Sequence, residues 1–213
     1  DLKPVWRECH RVLVSGGGTN LQAIIDKIES GYLKDCGIVS VVSNKKDAYA
    51  LTRAEKHNIP AYYIPKKGLS TEEYDQILID HFTEKEADLI VMAGFTCIVG
   101  KAFVDKFKNR IINVHPSLIP AFCGKGYYGL IPHKEALAYG VKLTGATVHY
   151  VELETDSGPI ILQKAVEVRN DDTPETLQKR VMEEAEWVIL PEAIKLISEN
   201  RVRVEGRKVL IKD

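Results

Sequence analysis

The chain has 213 residues, 45% of them hydrophobic and 28% charged, which suits a globular protein with a sizeable core. Twenty-nine Lys and Arg balance 30 Asp and Glu, for a net charge of −1, so bulk charge marks neither a nucleic-acid binder nor a binder of anionic membranes. The cysteines Cys9, Cys36, Cys97 and Cys123 form no CxxC pair and no disulfide framework, and no apolar run approaches a membrane span. With no signal peptide visible, the expected compartment is the cytoplasm, and a partner in nucleic acid or membrane is not expected.

In chain order, apolar runs alternate with amphipathic stretches, which predicts an α/β fold. Val12 to Val14 reads as a short strand ended by Ser15-Gly16-Gly17-Gly18, with a helix from about Asn20 carrying Leu21, Ile24, Ile25 and Ile28 at helical spacing. A strand is expected at Gly37 to Val42, a helix capped by Asp47 through Lys56, and a strand at Ala61 to Ile64. Ser70 and Glu73 form a capping-box pair for a helix through about Lys85, and Asp88 to Met92 reads as a strand covered on both faces.

Ile111 to His115 is a strand that stops at Pro116. A Gly, Pro and Tyr-rich loop follows over 117–131, then a helix from Pro132 to Tyr139 ended by Gly140. Gly145 to Glu152 and Pro159 to Val168 suit an antiparallel pair. Thr173-Pro174 starts a helix that runs to about Asn200 and is expected to bend or break at Pro191. Val202 to Ile211 suggests a terminal hairpin or an edge extension.

Three segments carry candidate chemistry. Gly16-Gly17-Gly18-Thr19-Asn20-Leu21 lies between a strand and a helix. It is either a phosphate cradle, with glycines allowing close approach and a helix N-terminus offering N–H groups, or a tight turn with no ligand. Asn113 and His115 lie two apart on a strand, so their side chains share a face, roughly 6–7 Å apart. An amide beside an imidazole suits acyl transfer, one stabilising an oxyanion and the other moving protons; the alternative is a polar strand end. Asp156, in a Gly-Pro loop, is either a turn residue or a carboxylate that meets His115. No His spacing suggests a metal site, and no His lies near Cys97 or Cys123 in sequence to support a thiol mechanism.

The ordered set Val14 to Ile24, Ser43-Asn44-Lys45, Ala93-Gly94-Phe95, Asn113-Val114-His115-Pro116-Ser117-Leu118-Ile119-Pro120 and Asp156-Ser157-Gly158-Pro159-Ile160-Ile161 resembles the folate-dependent phosphoribosylglycinamide formyltransferase family, over about residues 11–200. The resemblance implies a Rossmann-like formyltransferase fold in one domain over 1–213, with a seven-stranded, mostly parallel twisted sheet and helices on both faces. About 11–110 would be the nucleotide half, and about 111–200 the folate-binding and catalytic half. Asn113, His115 and Asp156 match the catalytic three. Gly18, Thr19, Asn20, Leu21 and Glu186 match the residues that hold the phosphoribosylglycinamide, and Thr71, Thr96, Cys97, Ile98, Val99 and Asn113 match those that hold 10-formyltetrahydrofolate.

The implied reaction is direct attack of the substrate amine on the formyl carbon, without a metal or a covalent enzyme intermediate. Its setting is purine (IMP) biosynthesis, and the partners are small molecules. Many members carry Met-Arg where this chain has Thr96-Cys97, and Thr71 stands where some have an Arg. The runner-up is a formyltetrahydrofolate hydrolase of the same fold, whose members read His-His-Ser-Phe where this chain reads His115-Pro116-Ser117-Leu118.

Overall fold

The computed structural model of the chain describes residues 8–14, 16–34, 36–84 and 88–213. In order, the elements are β1 (Glu8–Val14), α1 (Thr19–Glu29), β2 (Cys36–Ser43), α2 (Tyr49–Lys56), β3 (Ala61–Tyr63), α3 (Thr71–Thr83), β4 (Leu89–Met92), α4 (Lys101–Lys106) and β5 (Ile111–His115). Then come α5 (Ile131–Tyr139), β6 (Leu143–Tyr150), β7 (Ile160–Glu167), α6 (Pro174–Val181), a π turn (Met182–Glu186), α7 (Trp187–Ser198), β8 (Val202–Glu205) and β9 (Lys208–Ile211).

The central sheet is mixed, in the order β3-β2-β1-β4-β5-β6-β7. Its pairings are parallel from β3 through β5, while β6 pairs antiparallel with both β5 and β7. Alternate strand residues face opposite sides, and each side has its own core. Val41, Val91, Ile112, Val114 and Val148 meet α1, α2, α6 and α7, where Leu21, Ile24, Leu177, Leu190 and Ile194 are buried. Val42, Ile90, Met92 and Ile111 meet α3 and α4, through Tyr74, Leu78, Phe82 and Phe103.

Chain order reverses between β1 and β4: β1 leads outward to β2 and β3, and α3 brings the chain back to β4 on the other side. Ligands of open α/β sheets bind at the carboxyl ends of the strands beside such a switch point. The glycine turn follows β1, residues 96–99 follow β4, and Asn113 and His115 end β5, so all three open on this crevice.

Four expectations need correction. β1 starts at Glu8 rather than Val12, because its backbone is paired on both sides, with β2 from Glu8 opposite Cys36 and with β4 from His10 opposite Leu89. Asp47 does not cap α2; Ala48 holds the cap position, and the Ala50 N–H donates to the Gly16 carbonyl at 3.2 Å, so the glycine turn serves the helix end. Pro191 lies inside α7, and the irregularity falls just upstream as the π turn, whose wide spacing lies immediately before Trp187, the residue whose carbonyl the proline leaves without its usual donor. Finally, α4 was not expected. Six residues give too little periodicity to read, and the buried Asp75 of α3 supplies its cap, accepting the N–H groups of Gly100 (2.7 Å) and Phe103 (3.2 Å).

Elsewhere the local chemistry gives the expected elements. Ser70 and Glu73 make the reciprocal capping box of α3, and Thr173 caps α6 with Pro174 in its first turn. Lys85 and Ser15, named in the sequence reading, lie outside the described residues. β8 and β9 form a separate hairpin.

Candidate active site

Gly18 is the cap residue of α1, with φ 72, and a Cβ there would lie 2.7 Å from the Ala50 Cβ, so only glycine fits. Among the described residues no side chain caps this helix, which leaves the first-turn N–H groups of Thr19, Asn20 and Leu21 for a ligand. The Leu21 side chain is fully buried in the core, so only its backbone can serve the site. Arg53 of α2 fixes the turn, donating to the Gly17 carbonyl at 2.7 Å and to Gln22 at 3.1 Å. A cavity of about 420 Å³ opens beside Gly16 and Gly17, lined also by Lys45, Lys46 and Tyr49.

Glu186 reaches this turn across 166 residues of sequence. Its carboxyl accepts a hydrogen bond from the Asn20 amide at 3.1 Å, and both side chains are buried. Burial pushes the Glu186 carboxyl up to about 7, with the Asn20 bond pulling against it. The folded protein therefore keeps a proton here that the unfolded chain releases near pH 4.5, so stability falls as pH climbs from about 4.5 to 7. Glu186→Gln keeps the hydrogen-bonding shape without the charge. It is expected to flatten the urea-midpoint profile between pH 5 and 8 and to gain ~1–3 kcal/mol at pH 8. A profile as steep as that of the parent chain would refute this account.

The second cluster forms where β5 meets β6. Asn113 and His115 lie on one face, and the antiparallel register sets Asn113 opposite His149 and His115 opposite Thr147. Thr147 holds the loop after β5, donating to the Ser117 carbonyl at 2.7 Å and accepting the Ile119 N–H at 3.1 Å. The His115 Nε2 lies 2.9 Å from the Phe122 carbonyl, which assigns that nitrogen as a donor, and Nδ1 lies 3.5 Å from the Asp156 carboxylate. Asp156 is at φ 55 in its loop, and its Oδ2 accepts the Gly124 N–H at 2.9 Å. Gly158 lets this loop lie against β6, since a Cβ there would meet the Tyr150 carbonyl at 1.8 Å. Arg207, at the turn of the β8–β9 hairpin, braces the loop through the Ser157 carbonyl at 2.7 Å.

His149 is the member the sequence reading missed. Its Nδ1 lies 2.8 Å from the Tyr150 carbonyl, which leaves Nε2 to accept from the Asn113 amide at 3.3 Å and places it 3.6 Å from Asp156. The cross-strand register, which sets it opposite Asn113, is what marks it.

The charges are finely balanced. Burial pulls the His115 imidazole below its ordinary value, against Asp156 and the Phe122 carbonyl, which pull it up. For Asp156, burial raises the pKa, but the neighbouring His149 and His115 rings and the Gly124 N–H outweigh it and hold the carboxyl below the usual range. Burial, with His115 adding to it, pulls the nearby His133 down to about 4, so that ring stays neutral.

The segment after β4 is less uniform than expected. Thr96 and Ile98 are exposed, and Cys97 is half-buried with its sulfur accepting from Asn44 at 3.1 Å. The Val99 side chain is buried with the α3–α4 core, so only its backbone faces a ligand. Thr71 opens α3, and its hydroxyl accepts from Lys66 at 3.3 Å. Among the described residues, no cluster of three or more His, Cys, Asp or Glu side chains is placed to hold a metal, and no helix is long and apolar enough to cross a membrane.

This fold and site define a class. The formyl transferase family model matches residues 10–194, and the chain belongs to that family, with its α/β fold and mixed central sheet. Within the family, it is 40% identical over 195 residues to the phosphoribosylglycinamide formyltransferase of Haemophilus influenzae, covering 91% of this chain and 89% of that protein. The crystal structure of glycinamide ribonucleotide transformylase 1 from Symbiobacterium toebii superposes with a TM-score of 0.90 at 41% identity, over 97% of this chain and 94% of that one. A formyltetrahydrofolate deformylase from Pseudomonas syringae pv. tomato gives 0.86 at 30% identity, covering 97% of this chain but 66% of that one. The chain spans only 14% of the trifunctional purine biosynthetic protein adenosine-3 of Chironomus tentans, which it matches at 38% identity over 198 residues.

Proposed function

We propose that this chain transfers the formyl group of 10-formyltetrahydrofolate to the amine of phosphoribosylglycinamide in purine biosynthesis, with Asn113, His115 and Asp156 carrying the chemistry. The observation that supports this most is the convergence of His115, Asp156, His149 and Asn113 at the end of β5, beside the open glycine turn. The nucleotide phosphate sits on the N–H groups of Gly18 to Leu21, with Glu186 behind them. The folate lies along Thr71 and residues 96–99, between the nucleotide half and the catalytic half. Dispersed cysteines favour a reducing, cytoplasmic setting.

The amine attacks the formyl carbon, a C–N bond forms, and the carbonyl electron pair moves onto oxygen. The Asn113 amide, oriented by His149, donates to that oxyanion. The His115 Nε2–H now given to the Phe122 carbonyl turns to the same oxygen. The amine's surplus proton passes to the Nδ1 side of His115, where Asp156 stabilises the imidazolium, and then to N10 of the folate as the C–N10 bond breaks. Burial keeps His115 neutral before attack, and the developing oxyanion raises its proton affinity at the moment the charge is needed.

The test is consumption of 10-formyltetrahydrofolate, followed by absorbance, with and without the nucleotide. Consumption alone is expected to be slow, and added nucleotide to accelerate it by ~100-fold or more, because a bound amine has a large effective concentration. Equal rates in both conditions, with formate released, would make the chain a hydrolase.

A further inference from the structure

Formyltetrahydrofolate is neutral at its reacting end, and its negative charge lies in the two carboxylates of its glutamate tail. Thr71 and Cys97, two of the residues proposed to hold it, have side chains that carry no positive charge, and burial pushes the Cys97 thiol up, further from ionisation. Lys66 stands between these two positions. The Lys66 ammonium donates to the Ile98 carbonyl at 2.6 Å and to the Thr71 hydroxyl at 3.3 Å, and with Lys45 it acts on the Cys97 thiol.

Lys66 is held in place. It follows β3 in a turn closed by the Leu69 N–H on its own carbonyl at 3.0 Å, and the buried Tyr74 donates to the Ile64 carbonyl two residues earlier at 3.0 Å. The ammonium lies 5.7 Å from the centre of the Tyr74 ring, and the Ser70–Glu73 capping box fixes the next turn. Among the described residues, no carboxylate pairs with Lys66; nearby Glu73 is engaged by the Ser70 N–H at 2.7 Å. Of the three donors on an ammonium, two are used, both by neutral acceptors.

We propose that Lys66 is the residue that binds the glutamate tail of the folate co-substrate, its third N–H and its charge meeting a tail carboxylate beside Thr71 and Cys97. This rests on the transferase reading above. It divides the two anions of the reaction: the nucleotide phosphate goes to the backbone N–H groups of α1, and the folate carboxylate to Lys66. Because the ammonium is already fixed by Ile98 and Thr71, little rotamer freedom remains to be lost on binding.

The experiment compares 10-formyltetrahydrofolate with the carboxamide of 10-formyltetrahydropteroate, which lacks the glutamate and carries no tail charge, in steady-state transfer to the nucleotide. Lys66→Met and Lys66→Gln, the latter keeping a donor for the Ile98 carbonyl, are expected to raise KM for the folate about 10-fold, equivalent to ~1.4 kcal/mol. They should leave kcat, KM for the nucleotide and KM for the carboxamide within about twofold, since charge-assisted contacts of this size are the ones removed. Lys66→Arg should restore folate KM. In the unmodified protein, raising salt should raise KM for the folate and leave that for the carboxamide unchanged. An equal loss on folate and carboxamide would mean that Lys66 only holds the Ile98 carbonyl. That result, a rise in nucleotide KM, or no change at all overturns the proposal. Transfer by the unmodified protein, measured in the same assay, tests the underlying reading separately.

Discussion

Asn113→Ala and His115→Ala are each expected to lower kcat by about 10²–10³-fold while KM for both substrates stays within a few-fold. Removing one oxyanion donor from a preorganised site has effects of this size, because the donor interacts most strongly with charge that exists only in the transition state. In Asn113→Ala, the formyl oxygen loses the amide that His149 holds at 3.3 Å, and His149 loses its donor. In His115→Ala, the proton acceptor disappears, and so does the group on which Asp156 acts at 3.5 Å. The double variant should lose much less than the product of the two single losses, since the residues serve one oxyanion. Steady-state kinetics with both substrates decide this. A near-normal kcat in either variant would remove that residue from the chemistry, and a large rise in KM with kcat intact would recast it as a binding group.

What the sequence made legible follows physical range. The Ser70–Glu73 capping box, the glycine stop at Gly140 and the shared face of Asn113 and His115 each depend on residues within a turn or two of each other. What it left open depends on register and long-range packing. His149 reads as one residue of an alternating strand, and only the β5–β6 register sets it opposite Asn113. The Asn20–Glu186 bond spans 166 residues, and the π turn that carries Glu186 has no composition of its own to announce it. Lys66 looks like one of two lysines in a polar loop until Ile98 and Thr71 are seen to hold it. The misplaced cap of α2 has the same origin: Asp47 suits a cap, but the Gly16 carbonyl, distant in sequence, had already taken the Ala50 N–H.

Asp156→Asn separates a charge from a turn. Asparagine tolerates the left-handed backbone that Asp156 adopts at φ 55, and its carbonyl can still accept the Gly124 N–H, so the loop should survive. The change removes only the negative charge beside His115. Burial already holds the His115 pKa below its ordinary value, and Asp156 is the first of the groups pulling it back up. Without that charge the imidazole should titrate at still lower pH, so the acid limb of kcat/KM, set by loss of the neutral base, should move down by about one pH unit. The imidazolium formed during attack would meanwhile lose its support, and the plateau should fall by ~100-fold or more, as it does when other buried imidazole–carboxylate pairs lose their charge. Stability changes in the opposite region. Asp156 has a depressed folded pKa, so its contribution is present above its unfolded pKa and is lost as pH falls through the folded one; the Asn variant should lack that acid-side loss. The pH–rate profile and urea midpoints at pH 3–8 measure both. A lowered plateau together with an acid limb displaced to lower pH is the signature of a carboxylate that acts through His115. An unchanged profile at full activity would leave Asp156 as nothing more than the corner of its loop.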